Sequence, residues 1–341
     1  MKTFTIVEPG KYLFRESEVP VCGKEEVLVR MVRMGLCGSD LSTWRGLNPL
    51  VSYPRSVGHE ISGIIQDTGA EVPDNILPGM HTTLIPYTSC GKCLPCAKGR
   101  TNACEFNQTM GVQREGASSE YIVVPWKKLI LSEKLSVDQL VLVEPISVGF
   151  HAVSRGEVSP DDTVAVIGCG MIGLGAIAGS AAITDRTFAI DIAENKLDLA
   201  RKMGARAVIH SSHDDVHAKL LELTEGRGPD VIIEAVGLPA TFRQAVDIVG
   251  FSGKVVYIGY AAEEVAYDTK LFVMKELDIR GSRNALQEDF DSVVSVLETS
   301  QLPVNEIITQ KFHFPEMGDA FQYWVENRNR VTKIIIDYEI N

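Results

Sequence analysis

Residues 163–173 constrain the fold of this chain more tightly than any other stretch. Val164-Ala165-Val166-Ile167, after Thr163, is an unbroken apolar run of the kind found in strands buried on both faces of a parallel sheet. Gly168-Cys169-Gly170-Met171-Ile172-Gly173 follows at once and opens an apolar helical stretch. A G-x-G-x-x-G motif on its own is weak, but a strand before it and a helix after it are the context it requires. Its glycines permit a tight turn and let a pyrophosphate approach the backbone at the helix N-terminus, with Met171 and Ile172 in the first turn. The same rhythm continues through Thr187–Ile190, Ala207–Ile209, Asp230–Glu234, Gly253–Ile258 and Leu277–Arg280. Six strands alternating with helical patterns predict an α/β fold with a doubly wound, six-stranded parallel sheet.

The loops after these strands, including Val236, Ile258, Gly281 and Ser282, are expected to line a dinucleotide crevice. Asp191 ends the second strand about 20 residues past the fingerprint, where a carboxylate accepts hydrogen bonds from an adenosine ribose and repels an added phosphate. Ile192-Ala193 offers no replacement cation, although Lys196 is close. The reading is NAD over NADP.

Residues before Ser159 have a different texture. Val27–Arg33 alternates apolar and basic side chains, as a half-buried strand does. Four of the seven cysteines form Cys90-x2-Cys93-x2-Cys96-x7-Cys104. In a reducing compartment such a cluster points to metal and not to disulfides. Four thiolates close a tetrahedral structural zinc shell, with an iron–sulfur cluster as the rival. A lobe of about residues 88–108 has little core of its own and depends on that metal.

A second group suggests metal with an open position. Cys37 sits in a glycine-flanked turn, His59 and Glu60 follow Gly58, and Glu144 ends an apolar run where an unpaired carboxylate is costly. Thiolate, imidazole and carboxylate together suit catalytic zinc. Glu60 either ligates directly or orients the site from behind. His210, His213 and His217 read as a solvated helix face, and His151 and His313 have no identified partner.

Composition sets the outer limits. A chain of 341 residues with 45 % hydrophobic content predicts two domains. A net charge of -12 without a basic run argues against nucleic acid and against an anionic membrane surface. No apolar run approaches the ~18–20 residues of a membrane span, and the start of the chain lacks a signal-peptide core. The expected location is the cytoplasm. The tail returns to the first texture, so the first domain is expected to be discontinuous, 1–146 with 285–341, around a dinucleotide domain at 147–284.

Gly58-His59-Glu60-x2-Gly63-x5-Gly69-x2-Val72 matches the zinc alcohol dehydrogenase signature. With Cys37-Gly38-Ser39-Asp40, the four-cysteine lobe, Glu144-Pro145 and the dinucleotide fingerprint, the whole chain resembles the medium-chain zinc-dependent alcohol and polyol dehydrogenases. Glu144-Pro145 is similar to the polyol and sorbitol branch. The resemblance implies a GroES-like catalytic domain and a Rossmann domain with the active site between them. It implies two zinc ions per chain, one catalytic at Cys37 and His59 with Glu60 or Glu144, and one structural. The reaction implied is reversible oxidation of an alcohol, with hydride passing to NAD and the proton leaving through Ser39. Many relatives carry a histidine three residues after that serine, where this chain has Ser42, which leaves Ser42, Thr43 or the cofactor ribose as the next relay member. The Gly116-Ala117-Ser118-Ser119 turn also departs from the family pattern.

A narrower resemblance, through Tyr53-Pro54-Arg55, Gly281–Ala285 and Asp289-Phe290, is to bacterial sugar-acid dehydrogenases of the L-galactonate and L-gulonate 5-dehydrogenase and RspB kind. It implies a sugar-acid substrate held through Arg45 or Arg283, with Asn284 beside the latter, since an arginine holds a carboxylate with two parallel hydrogen bonds. The alternatives are a neutral polyol or L-threonine substrate, or a non-catalytic dinucleotide-binding sensor. The family resemblance also implies a homodimer or homotetramer built through edge strands of the Rossmann domain.

Overall fold

The computed structural model describes residues Met1–Glu339. The chain divides into two compact units, Met1–Glu144 with Ile308–Asn341, and Pro145–Ile307. In chain order the first unit contains β1 (Lys2–Glu8), β2 (Lys11–Glu16), β3 (Glu26–Leu36), β4 (Glu60–Thr68), β5 (His81–Leu84), β6 (Tyr121–Pro125) and β7 (Leu129–Leu131). The second unit holds β8 (Val164–Ile167), β9 (Thr187–Asp191), β10 (Ala207–His210), β11 (Val231–Glu234), β12 (Lys254–Tyr257) and β13 (Asp278–Gly281). The tail adds β14 (Ile308–His313) and β15 (Lys333–Asp337) to the first unit.

In the first unit a sheet of order β14-β15-β3-β4-β5-β7 is extended by β6 on β3. β3 is the hub, antiparallel to β4, β6 and β15. Val27, Val29, Met31, Met34 and Leu36 on β3 are buried with Ile61, Ile65, Phe321 and Ile334 in one apolar core. Burial of that core, not local propensity, holds the register. Register matters for the chemistry that follows. Gly35 lies opposite Glu60, and a Cβ at Gly35 would stand 2.1 Å from Glu60 Oε2. Only glycine leaves room there for the glutamate. Ser118 and Ser119, in the turn that departs from the family pattern, bond backbone carbonyls of Phe4 and Tyr121 at 2.8 Å each, so they pin the turn locally.

The second unit is a six-stranded parallel sheet of order β10-β9-β8-β11-β12-β13, with the winding reversing between β8 and β11. β8, β9 and β11, apart from half-exposed Asp191, are wholly buried, as their continuous apolar runs require. The junctions differ from the predicted ones. The first falls between Glu144 and Pro145, close to 146. The second falls after Ile307 and not before 285, so the helix Gln287–Thr299 belongs to the sheet unit. The physical reason is a buried anchor. Asp289 accepts from Leu286 N–H at 2.8 Å and Ser154 Oγ at 3.1 Å, and its other contact is His151 Nδ1 at 2.7 Å. His151, without a partner in the sequence reading, is thus the mate of Asp289. Among the described residues no helix is long and apolar enough to cross a membrane.

Candidate metal and nucleotide sites

The chain leaves β3 at Leu36 and turns into the helix Gly38–Trp44 through Cys37. Asp40, buried in the first turn, accepts from the Cys37 N–H at 2.9 Å and from the Gly58 N–H at 3.2 Å. One carboxylate thereby ties the cysteine turn to the segment that presents His59 and Glu60. The candidate ligand atoms of Cys37, His59 and Glu60 lie within 4.8 Å of one another. His59 is buried, and its Nδ1 has no hydrogen-bond partner. Burial alone lowers the proton affinity of that imidazole. Cys37, then Asp40 and Glu144, outweigh it and raise the His59 pKa well above the usual value. A side-chain cluster with that field is built for a cation, and thiolate, imidazole and carboxylate are donors zinc accepts. The residues present fit the metal.

The two carboxylates have different partners. Glu60 is fully buried and ion-paired with Lys333 Nζ, at 2.7 Å from Oε1 and 2.5 Å from Oε2. Lys333 also donates to Leu36 O at 3.1 Å, which places all three of its protons. Glu144 stands in the first turn of the helix Val143–Gly156 and accepts from the buried Tyr87 hydroxyl. Burial raises the Glu144 pKa, with His59 opposing and Glu60 reinforcing the rise, so all three face one site. The Ser39 hydroxyl is buried without a hydrogen-bond partner, while the Thr43 hydroxyl is committed to Ser39 O at 2.8 Å. Ser42 is half-buried. Lys333, Tyr87 and Asp40 were not singled out as site residues from the sequence. A lysine inside the apolar run Val331–Ile336 was the available signal, because a buried lysine demands a counter-charge.

The other metal group is the four-cysteine lobe. The Sγ atoms of Cys90, Cys93, Cys96 and Cys104 all lie within 4.8 Å of one another. Backbone N–H groups of Cys93 and Phe106 donate to Cys90 and Cys104 sulfurs, each at 3.3 Å. Those of Lys92 and Cys93 lower the Cys90 pKa to about 6, while burial and the neighbouring Cys93 push the Cys96 thiol up to about 12, so without a cation the four sulfurs do not all ionise. The cluster fits a structural zinc site. No third group of this kind occurs among the described residues. His210 and His213 stack at 4.1 Å; His213 and His217 are exposed, as expected of a solvated face, whereas His210 ends β10, half-buried with its Nδ1 shielded and unpartnered, because it still belongs to the sheet and not to the helix.

In the second unit Gly168 takes φ +96°, and a Cβ at Gly173 would stand 1.8 Å from the Gly168 carbonyl oxygen. Gly170 caps the helix Met171–Ala181, and a Cβ there would meet nothing within 4 Å. The turn is tight on one side and open on the other, which fits a phosphate at the helix start. Asp191 ends β9 and accepts from Cys169 N–H at 2.7 Å, Ile192 N–H at 2.7 Å and Ala193 N–H at 3.0 Å. Lys196 is half-buried one helical turn further on. Val236 and Gly281 are exposed, Ile258 is half-buried and Ser282 is buried. Arg283 is exposed beside Asn284, which takes φ +54°. Arg45 is exposed and makes no ion pair among the described residues; it belongs to the first unit, Arg283 to the second.

A cation site of thiolate, imidazole and carboxylate, a four-thiolate lobe and a strand–glycine–helix sheet fit an enzyme that uses a metal and a dinucleotide. Residues 23–134 match the alcohol dehydrogenase GroES-like domain, and residues 171–299 match the zinc-binding dehydrogenase family. The starvation-sensing protein RspB of Escherichia coli K12 is 30 % identical over 342 residues, covering 99 % of each chain. L-galactonate-5-dehydrogenase of the same strain is 29 % identical over 338 residues, again covering 99 % of each. The crystal structure of RspB from Escherichia coli CFT073, solved with NADH, superposes with a TM-score of 0.91 at 29 % identity, covering 99 % of both chains. The chain belongs to the zinc-type, GroES-like medium-chain alcohol dehydrogenase family.

Proposed function

We propose that the protein oxidises a secondary hydroxyl of a sugar acid of the L-gulonate or L-galactonate type, at C5, to a ketone, with NAD as hydride acceptor. The observation that carries the reading is the convergence of Cys37, His59 and Glu60 within 4.8 Å. Cys37 and His59 hold the catalytic zinc, and Glu60 or Glu144 completes the protein ligands. Zinc bound there supplies a Lewis acid that makes a substrate hydroxyl more acidic. Ser39, whose buried hydroxyl has no other partner, takes the proton. Thr43 gives its proton to Ser39 O, which favours half-buried Ser42 or the cofactor ribose over Thr43 as the next relay member. Gly168, Gly170 and Gly173 seat the pyrophosphate, and Asp191 takes the ribose hydroxyls and disfavours NADP. Cys90, Cys93, Cys96 and Cys104 hold the second zinc.

The sugar-acid specificity draws support from the likeness to L-galactonate-5-dehydrogenase over 99 % of both chains and from Arg45 and Arg283, exposed cations in an acidic protein. A homo-oligomer joined through edge strand β13 draws support from exposed Val273, Met274 and Ile279 around that edge. The unpaired cysteines support a cytoplasmic location. NADH formation with a panel of aldonates, polyols and L-threonine tests the substrate. We expect L-gulonate or L-galactonate to give the highest kcat/KM. Sorbitol or L-threonine turned over well ahead of every aldonate refutes the sugar-acid assignment and leaves a polyol or amino-alcohol dehydrogenase.

A further inference from the structure

Glu234 is the last residue of β11, in register between Ile167 of β8 and Tyr257 of β12. It is fully buried. Its Oε1 accepts from Val236 N–H at 2.9 Å and Gly237 N–H at 2.8 Å, and lies 2.7 Å from Thr241 Oγ1, whose one proton is shared with Leu238 O at 2.9 Å. Two backbone donors and a shared hydroxyl on one oxygen suit an anion. Its Oε2 is buried with no partner at all, and no lysine, arginine or histidine pairs with it among the described residues. A buried charge without a counter-charge is costly to retain.

The position suggests what offsets that cost. The sheet order reverses between β8 and β11, and dinucleotides lie outside the carboxyl ends of strands at such a switch point. Asp191 on β9 marks the half that takes the adenosine ribose, so the half built from β11, β12 and β13 takes the nicotinamide nucleotide. The turn Val236-Gly237, which Glu234 organises, packs on the fingerprint: a Cβ at Gly168 would meet Val236 Cγ2 at 2.6 Å. The oxidised nicotinamide ring carries one positive charge and the reduced ring none.

We propose that Glu234 is a positioning residue whose uncompensated buried charge biases the nucleotide site toward the oxidised, cationic nicotinamide. It touches no cofactor atom; it shapes the turn beneath the ring and acts on the ring through its field. This rests on the NAD reading above. The charge sets the balance between oxidised and reduced cofactor, and so favours loading for alcohol oxidation and release of the reduced product.

Isothermal titration of the zinc-loaded full chain with NAD+ and with NADH tests it. A unit charge acting through about 10 Å of protein changes a binding constant about tenfold. In Glu234→Gln, which keeps the shape and the Oε1 acceptor, NAD+ binding weakens about tenfold relative to NADH. Thr241→Lys, which leaves Glu234 in place and brings an ammonium to it, shifts the ratio the same way and decides the matter if Glu234→Gln does not fold. Equal weakening of both nucleotides in the folded variants, or an unmoved ratio, overturns the proposal while leaving the NAD assignment standing. A wild-type protein that binds neither nucleotide overturns both.

Discussion

Replacing Lys333 with methionine should destabilise the first unit by about 3–5 kcal/mol, the cost of leaving one member of a buried ion pair without its mate. The geometry puts this pair in the buried class and not the exposed one. The side chains of Lys333 and Glu60 are 3 % and 1 % exposed, with Nζ 2.5 Å from the nearer oxygen. The third ammonium proton goes to Leu36 O at 3.1 Å, so the lysine gives up no unsatisfied donor in the wild type. Methionine nearly conserves the volume, so the loss reports charge and not a cavity. Glu60 is left as a buried anion opposite Gly35. Trp44, Trp126 and Trp324 all belong to the first unit, so urea unfolding followed by tryptophan fluorescence reads that unit alone. The titration is run with a chelator, because zinc at the site would resupply the counter-charge and shrink the loss. The double variant Glu60→Met with Lys333→Met should recover most of the stability, since apolar replacement of a whole buried pair is often neutral. A loss below about 1 kcal/mol for Lys333→Met, or a double variant no better than the single one, refutes the reasoning.

Gly173→Ala should lower nucleotide affinity more than tenfold, because the new methyl is directed at the Gly168 carbonyl at 1.8 Å; calorimetry with NADH checks this, and wild-type affinity counts against the turn geometry. Zinc binding at the Cys37–His59 site should strengthen as pH rises toward the raised His59 value and should release protons. Burial lowers that pKa, but Cys37, Asp40 and Glu144 raise it further, so the empty site holds a proton that metal must displace. Titrations in buffers of different ionisation enthalpy read the proton release, and a pH-independent affinity contradicts it. Cys104→Ser should remove one zinc per chain and make residues 88–108 the first point of proteolysis, while nucleotide binding in the second unit persists; retention of both metal ions refutes the lobe assignment.

Much of this was legible in the sequence because the signals are local. A strand, a turn of glycines and a helix lie within residues 163–181, and the four cysteines within residues 90–104. The six-stranded sheet followed from buried apolar runs. What was not legible depends on contacts between distant residues. Glu60 left two readings open because its partner Lys333 lies 273 residues away, brought beside it by the pairing of β15 with β3. Glu144 meets Tyr87 57 residues upstream for a similar reason. The second junction fell later than residue 285 because His151 and Asp289 join across 138 residues, and neither carries a motif. Glu234 read as the end of a strand; only its burial and its bare oxygen set it apart.

Zinc content measured against NADH-forming activity tests the central claim most directly. The full chain should carry two zinc ions. Selective removal of one should abolish turnover of the best hydroxy substrate, readdition of zinc should restore it, and Cys37→Ser should hold one zinc and stay inactive in every condition. Full activity with the Cys37–His59 site stripped of metal, or in Cys37→Ser, would contradict the account.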